Sequence, residues 1–407
     1  MKKESHNMKN NLINVLAIGD VANVMKSLSK ITKRSKIHIV NFPKDGKGIF
    51  IHDDNVDRFV SWKVKEQVDY INKIKDDFDI CIVMGTGERI AYLADLNYIS
   101  YYVGRDIDAP RFIKNSKEFW FSTPLHRLNF LERRFYYSTF KNAIAHIAGI
   151  WVYPFLEKYT KNGIRMDMQT IDTELFKITN HEINLEKTKF TFFSPQRMGL
   201  PKGTDLLWDA LKLCKTDFQI LQVDWFDESN EEELKIKNRL LRELPPQIKL
   251  IPMIKREKMP EYYSFADAII GNMKIGTWEL VEFEGVLCGK PVLSFNEPSQ
   301  RLFVKDKYVQ SPFLPKSNKV KDIAMYIDKI VLSQKFRDEL FRDERKFVSD
   351  SIDKEWISKW WDDLFEKYAK KYSIKKESHF ISIKLRMWMF LIGNRIYWKK
   401  IGKILKI

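Results

Sequence analysis

Arg197 and Lys202 stand five residues apart in the run SPQRMGLPKGTDLL, directly after the apolar stretch Phe190 to Ser194. A planar guanidinium fork and a compact ammonium on one loop are suited to phosphate oxygens. In a chain with 70 Lys and Arg they can equally be two solvated surface cations. A second stretch, GNMKIGTWELVEFEGVLCGKPV, runs from Gly271 to Val292. It follows Ala268-Ile269-Ile270, which reads as a buried strand. Gly276-Thr277 then reads as the start of a helix reaching Leu287, and Pro291 to Phe295 as another strand. Gly289 can cap this helix, and Pro291 cannot extend it. Its start offers unpaired N–H groups and a positive dipole end, which favour an anion such as a diphosphate. Thr277 can cap the helix or join that cradle. Glu284 lies two turns in, beside Glu279 and Glu282.

Alternating elements must hold these residues. Ile13 to Ile18 reads as a strand ending in Gly19-Asp20, followed by a helix over about 23–33 and a strand from Ile37 to Val40. No G-x-G-x-x-G follows the first strand, so no dinucleotide fingerprint is present. Gly19 can let a ligand approach the main chain or simply make a tight turn. Strands are predicted over 79–84, 99–103, 147–153 and 166–170. The third of these runs is preceded by a basic, aromatic segment, and the second ends in Gly104-Arg105-Asp106-Ile107-Asp108. The second half alternates strands over 190–194, 218–223 and 248–252 with helices over 204–213, 231–244 and 260–265. Such alternation predicts a parallel sheet covered on both faces. Helices near 320–332, 335–350 and 356–372 follow. The last carries Trp356, Trp360, Trp361, Leu364 and Phe365, expected to pack on the body.

At 407 residues the chain suits two domains, and 44% apolar content excludes disorder throughout. Cys81, Cys214 and Cys288 are scattered, which fits buried thiols in a reducing cytosol rather than a disulfide framework or metal cluster. Met1 to Asn11 is polar and basic, without a secretory apolar run. The net charge is +16, and from Lys371 onward ten Lys and Arg face one acid, Glu377. No recognisable nucleic-acid reading element accompanies that charge. The tail Phe380 to Ile407, with Trp388 and Trp398, instead suggests an anionic membrane surface. Its run Met387 to Ile392, bracketed by Arg386 and Arg395, falls short of the roughly 18–20 apolar residues of a spanning helix. A helix lying in the interface is expected, the alternative being packing on a partner or the body.

Glu284-Gly-Val-Leu-Cys-Gly-Lys-Pro-Val292 resembles the E-A-M-A-C-G-x-P-V signature of retaining GT-B glycosyltransferases of the family-four, or group 1, type. Arg197 and Lys202 resemble that family's G-R-x-x-x-x-K-G pair, and Ile171 to Phe176 its G-V-D-x-x-x-F hand-over between domains. The resemblance covers about residues 165–295. It implies an α/β fold with two Rossmann-like domains facing across a cleft, plus a C-terminal amphipathic helical tail. The expected domains are 1–178 on the acceptor side, 179–350 binding the nucleotide sugar, a returning helix over 351–372 and the basic tail 373–407. By the same resemblance Arg197 and Lys202 clamp the donor diphosphate and stabilise its charge, and Glu284 binds the ribose. From the helix start Gly276 and Thr277 are expected to cradle the phosphates; Gly19 and Asp106 are candidates for the acceptor side, and each can instead be a simple turn. No metal and no cofactor beyond the nucleotide-sugar co-substrate are implied.

Two departures stand out. The glutamate that in the family touches the transferred sugar, eight residues before the second, is Gly276 here. The family's histidine near that sugar corresponds to Val103, with His126 a loose substitute. The expected activity is sugar transfer, with retention, to a glycan or lipid-linked acceptor at the inner face of the cell membrane, without nucleic acid. A GT-B sugar-nucleotide epimerase and a degenerate transferase acting as a binding subunit are the alternatives.

Overall fold

The computed structural model describes residues 12–43, 56–103, 130–150, 152–180, 183–226, 228, 231–376, 378 and 380–393. They divide into two units, Met1–Met166 with Lys354–Ile407, and Asp167–Asp353. In the first, β1 (Ile13–Ile18), α1 (Val24–Ser29), β2 (Ser35–Asn41), β3 (Asp57–Arg58), α2 (Val64–Ile74) and β4 (Ile80–Met84) lead on to α3 (Gly87–Leu93) and β5 (Tyr98–Tyr102). Then come α4 (Phe130–Asn142), β6 (Ala145–Ala148), α5 (Tyr153–Leu156) and β7 (Gly163–Arg165). The strands form one parallel sheet ordered β3-β2-β1-β4-β5-β6-β7. β4, β5 and β6 are buried along their whole length, as a sheet covered on both faces requires. Strand order reverses at β1 and β4, and ligands of such sheets gather beyond the strand carboxyl ends at that point.

The second unit follows the predicted alternation closely. It contains β8 (Thr191–Ser194), α6 (Thr204–Leu211), β9 (Gln219–Val223), α7 (Glu231–Arg242), β10 (Ile248–Ile251), α8 (Met259–Phe265) and β11 (Ala268–Ile270). Next are α9 (Leu280–Leu287), β12 (Val292–Leu293), the antiparallel pair β13 (Arg301–Val304) and β14 (Lys307–Gln310), α10 (Val320–Leu332) and α11 (Gln334–Ser351). Its parallel sheet is ordered β10-β9-β8-β11-β12, so β8 and β11 mark the second reversal. Trp208, Leu211, Phe218, Ile270 and Ile327 belong to the core beneath that sheet.

The first half departs from expectation at its end. β6 stops at Ala148, residues 153–156 are helical, and the edge strand is Gly163–Arg165 rather than 166–170. Met166 to Met168 is buried like a strand, yet Asp167 Oδ2 accepts from Phe303 N (2.7 Å) in the second unit. The hand-over therefore falls at Met166 and Asp167, before the expected 178. The last helices, α12 (Lys354–Lys371) and α13 (Phe380–Gly393), belong to the first unit. Trp361, Leu364 and Phe365 of α12 are buried there, and Asp362 Oδ2 accepts from Lys33 N and Arg34 N, both at 3.0 Å.

Candidate functional site

At the reversal point of the second unit the loops following β8 and β11 interlock. Met273 N donates to Lys202 O (3.1 Å). Gly203 has φ +71°, and a Cβ there would stand 2.9 Å from the Met273 carbonyl carbon, so only glycine fits. Gln196 Nε2 donates to Gly271 O (2.7 Å), and Gln222 Nε2 donates to Gln196 O (3.0 Å). These buried bonds stiffen the loop that bears Arg197 and Lys202. Lys202 Nζ donates to the Glu279 carboxylate, which also accepts from Asn272 Nδ2 (3.3 Å). Both members of the ion pair keep some solvent access, 19% for the Lys202 side chain and 29% for that of Glu279.

The helix expected at Gly276-Thr277 begins later, at Leu280. Asn272 Oδ1 accepts from Lys274 N (2.7 Å) and Ile275 N (2.8 Å), prolonging the loop. Glu279 is the N-cap, and its side chain and that of Glu282 exchange bonds with each other's main chain in a capping box. Gly276 has φ +79°, and a Cβ there would lie 3.0 Å from both Glu297 Cβ and Phe295 Cε1. The glycine is set by backbone and packing and leaves no ready space for a carboxylate. Thr277 does not cap the helix. Its Oγ1 is buried without a hydrogen-bond partner, as are Ser194 Oγ, Gln196 Oε1 and Asn296 Oδ1. All four lie in or just beyond the carboxyl ends of β8, β11 and β12. Buried polar atoms are ordinarily paired, and a polar ligand is one way to pair them.

Glu284 is not an exposed helix carboxylate; it is 3% exposed. Arg256 Nη2 donates to its Oε1 (2.8 Å) and Tyr263 OH to its Oε2 (2.9 Å). Burial acts to lower the Arg256 pKa, but the charge and hydrogen bond of Glu284 outweigh it and leave the guanidinium raised. Burial, then the Glu284 charge, pushes Tyr263 well above its usual value. Glu282 is fully buried, accepting from Ser294 Oγ and from Glu279 N (2.7 Å). Burial and the neighbouring Glu279 charge push its pKa up to about 7. Burial raises the Cys288 and Cys214 thiols to about 12, which makes them poor nucleophiles. Among the described residues no group of three His, Cys, Asp or Glu could hold a metal ion.

In the first unit, Gly19 has φ +85° and a Cβ there would stand 2.7 Å from Met84 O. The close approach is thus to the protein's own β4 exit. Glu88, buried in the first turn of α3, accepts from Ser100 Oγ (3.0 Å), Tyr102 OH (3.0 Å) and Thr139 Oγ1 (3.2 Å). Tyr102 OH also meets His146 Nδ1 at 3.0 Å. Nothing in the spacing of these residues announces that network, because it closes only across β5, β6, α3 and α4. Asp106 and His126 lie outside the described residues.

Residues 176–347 match the family described as glycosyl transferases group 1. No protein of curated function matches the sequence. Solved structures share the fold. Anabaena HepE in complex with UDP and glucose gives a TM-score of 0.60 at 13% identity, covering 87% of this chain and 100% of that one. Sucrose-phosphate synthase from Thermosynechococcus elongatus gives 0.64 at 13% identity, covering 88% and 100%. An alpha-glucosyltransferase in complex with UDP-glucose and DNA containing an abasic site gives 0.57 at 12% identity, covering 87% and 99%. The match to the group 1 glycosyltransferases is carried by the second unit, and the chain as a whole shares the GT-B fold of these structures.

Proposed function

We propose that this glycosyltransferase moves a sugar from a nucleotide-sugar donor, with retention, to a glycan or lipid-linked acceptor. The observation that carries this reading is the pairing of Lys202, on the loop after β8 that also bears Arg197, with Glu279, the N-cap of α9 beyond the carboxyl end of β11. In the reaction the bond between the anomeric carbon and the diphosphate oxygen breaks, a bond to the acceptor oxygen forms on the same face of the sugar, and the acceptor hydroxyl's proton passes to the departing diphosphate. The charge left on the diphosphate is met by Arg197 and Lys202, two cations carried on one loop, the Lys202 ammonium turning to it from Glu279. Glu284, oriented by Arg256 and Tyr263, offers its remaining lone pairs to the ribose. Glu279 supplies a carboxylate beside Lys202 although Gly276 carries none. That favours an active enzyme over a degenerate binding subunit.

The complexes of HepE with UDP and UDP-glucose make a uridine diphosphate sugar the first donor to try. Neither a metal nor a further cofactor is assigned. The setting proposed is the inner face of the cell membrane, reached through residues 380–407, with the acceptor supplied there. No helix of the described residues is long and apolar enough to cross a membrane. A panel of nucleotide sugars, scored for release of the nucleoside diphosphate with and without glycan and lipid acceptors, tests the assignment. Acceptor-dependent release from one donor is expected. Interconversion of the donor without release would identify an epimerase instead, and neither outcome with any donor would leave only a binding protein.

A further inference from the structure

α13 has two faces of unlike chemistry. One is docked on the first unit. Phe390 packs on Phe135 with ring centroids 5.2 Å apart, and Met387 lies against the same core. Arg386, buried on this face, donates from Nη1 to Asp95 Oδ1 (2.7 Å) and Tyr92 O (3.1 Å), and from Nη2 to Ser378 Oγ (2.9 Å). The other face shows Ile381, Leu385, Trp388 and Leu391 to solvent, at 78%, 53%, 55% and 44% exposure. Steps of four, three and three residues keep them in one row along the helix. A row of four large apolar side chains on one exposed face is a mark of an interaction site. Lys384 lies within it, and the adjoining helix α4 exposes Arg134, Tyr137 and Lys141.

We infer that this row is the surface through which the protein lies on an anionic bilayer, with the first unit held against the lipid. The inference rests on the membrane setting proposed above and assigns it to named residues. Charge argues for lipid as the occupant: Lys384 lies in the row, Arg134 and Lys141 beside it, and from Lys371 onward the sequence carries nine Lys and Arg besides the buried Arg386 against one Glu. Cations at headgroup depth with a tryptophan and aliphatic groups below them are the chemistry of an interfacial helix. Fourteen residues cannot span the hydrocarbon, which needs about 20. The Arg386–Asp95 bond fixes the rotation of α13, so the row is presented without prior ordering. Arg386, Met387 and Phe390 are thereby excluded from the lipid face, although the sequence places them in the same basic, apolar tail. A unit held against lipid also narrows the acceptor to one carried on a lipid.

The test is co-sedimentation of the full chain and its Leu385→Glu/Trp388→Glu variant with vesicles of phosphatidylcholine alone or mixed equally with phosphatidylglycerol. The wild type is expected to pellet with the anionic vesicles, less so at high salt. The variant should bind at least tenfold more weakly while keeping the wild-type thermal midpoint. A folded variant that pellets like the wild type overturns the row and leaves the membrane setting standing on other residues. A wild type that pellets with neither vesicle overturns both. A wild type that is dimeric without vesicles, with a monomeric variant, makes the row a contact between copies and overturns the lipid assignment.

Discussion

Glu279 caps α9 and pairs with the ammonium of Lys202 on the neighbouring loop. Its spacing matches no donor motif, yet its carboxylate takes the Lys202 ammonium and the Asn272 amide. A diphosphate arriving at Lys202 must compete with it. Glu279→Gln is therefore expected to tighten binding of a nucleoside diphosphate by about 1 kcal/mol, roughly fivefold, the scale of a partly exposed ion pair. Unchanged or weaker binding in a calorimetric titration would show that Lys202 does not exchange partners. Gly276 makes the opposite point. Aligned motifs suggest a vacancy left by a missing carboxylate, but φ +79° and the Glu297 and Phe295 contacts make the position a backbone requirement. Gly276→Ala and Gly276→Glu should lose similar stability, about 1–3 kcal/mol each in denaturant unfolding. A tolerated alanine would reject the backbone explanation. Arg197 and Lys202 can be singled out together from the sequence because both stand on one short loop. Glu279 cannot, because its partner comes from a different strand end.

At the scale of elements, α9 is the helix on which the site turns, and its start is held by the partly exposed carboxylate of Glu279 and the buried one of Glu282. Glu282 accepts from Glu279 N and Ser294 Oγ in full burial, with its pKa raised to about 7 from a usual 4.5 by desolvation first and by Glu279 second. The folded protein then holds a proton that the unfolded chain gives up. Stability from this group is present below about 4.5 and falls as the pH rises towards 7. Glu344, also raised by burial, acts in the same direction. Glu282→Gln cannot ionise, so its stability relative to wild type should climb by roughly 1–3 kcal/mol between about pH 5 and 7. Parallel unfolding midpoints across that range would remove Glu282 as the titrating group. The alternation of strands and helices in the second unit was readable to within a few residues, since each strand is a short apolar run ending in a loop. The start of α9 was misplaced because Asn272 holds the following turn open, a side-chain effect that periodicity does not register.

For the whole molecule, the sequence pointed to two Rossmann-like domains, and the division into two units with parallel sheets agrees with the GT-B fold of the solved relatives. The return of the chain was only partly visible. The aromatic helix α12 was expected to pack back, but its choice of the first unit depends on Asp362 meeting the Lys33 and Arg34 amides more than three hundred residues earlier. The hand-over falls ahead of the Ile171–Phe176 segment that resembles it, because Asp167 already bonds Phe303 N of the second unit. The residues proposed for the donor side, by contrast, all come from the second unit, and this makes the central claim open to a direct measurement. Uridine, guanosine and adenosine diphosphates are titrated calorimetrically into the wild type and into Arg197→Ala/Lys202→Ala, each checked for an unchanged fold. At least one nucleotide should bind the wild type, and the double variant should lose about 3 kcal/mol or more, over a hundredfold, as two charge-assisted phosphate contacts disappear. A folded double variant that binds the same nucleotide as tightly as the wild type would contradict the placement of the donor diphosphate, and with it this account of the site.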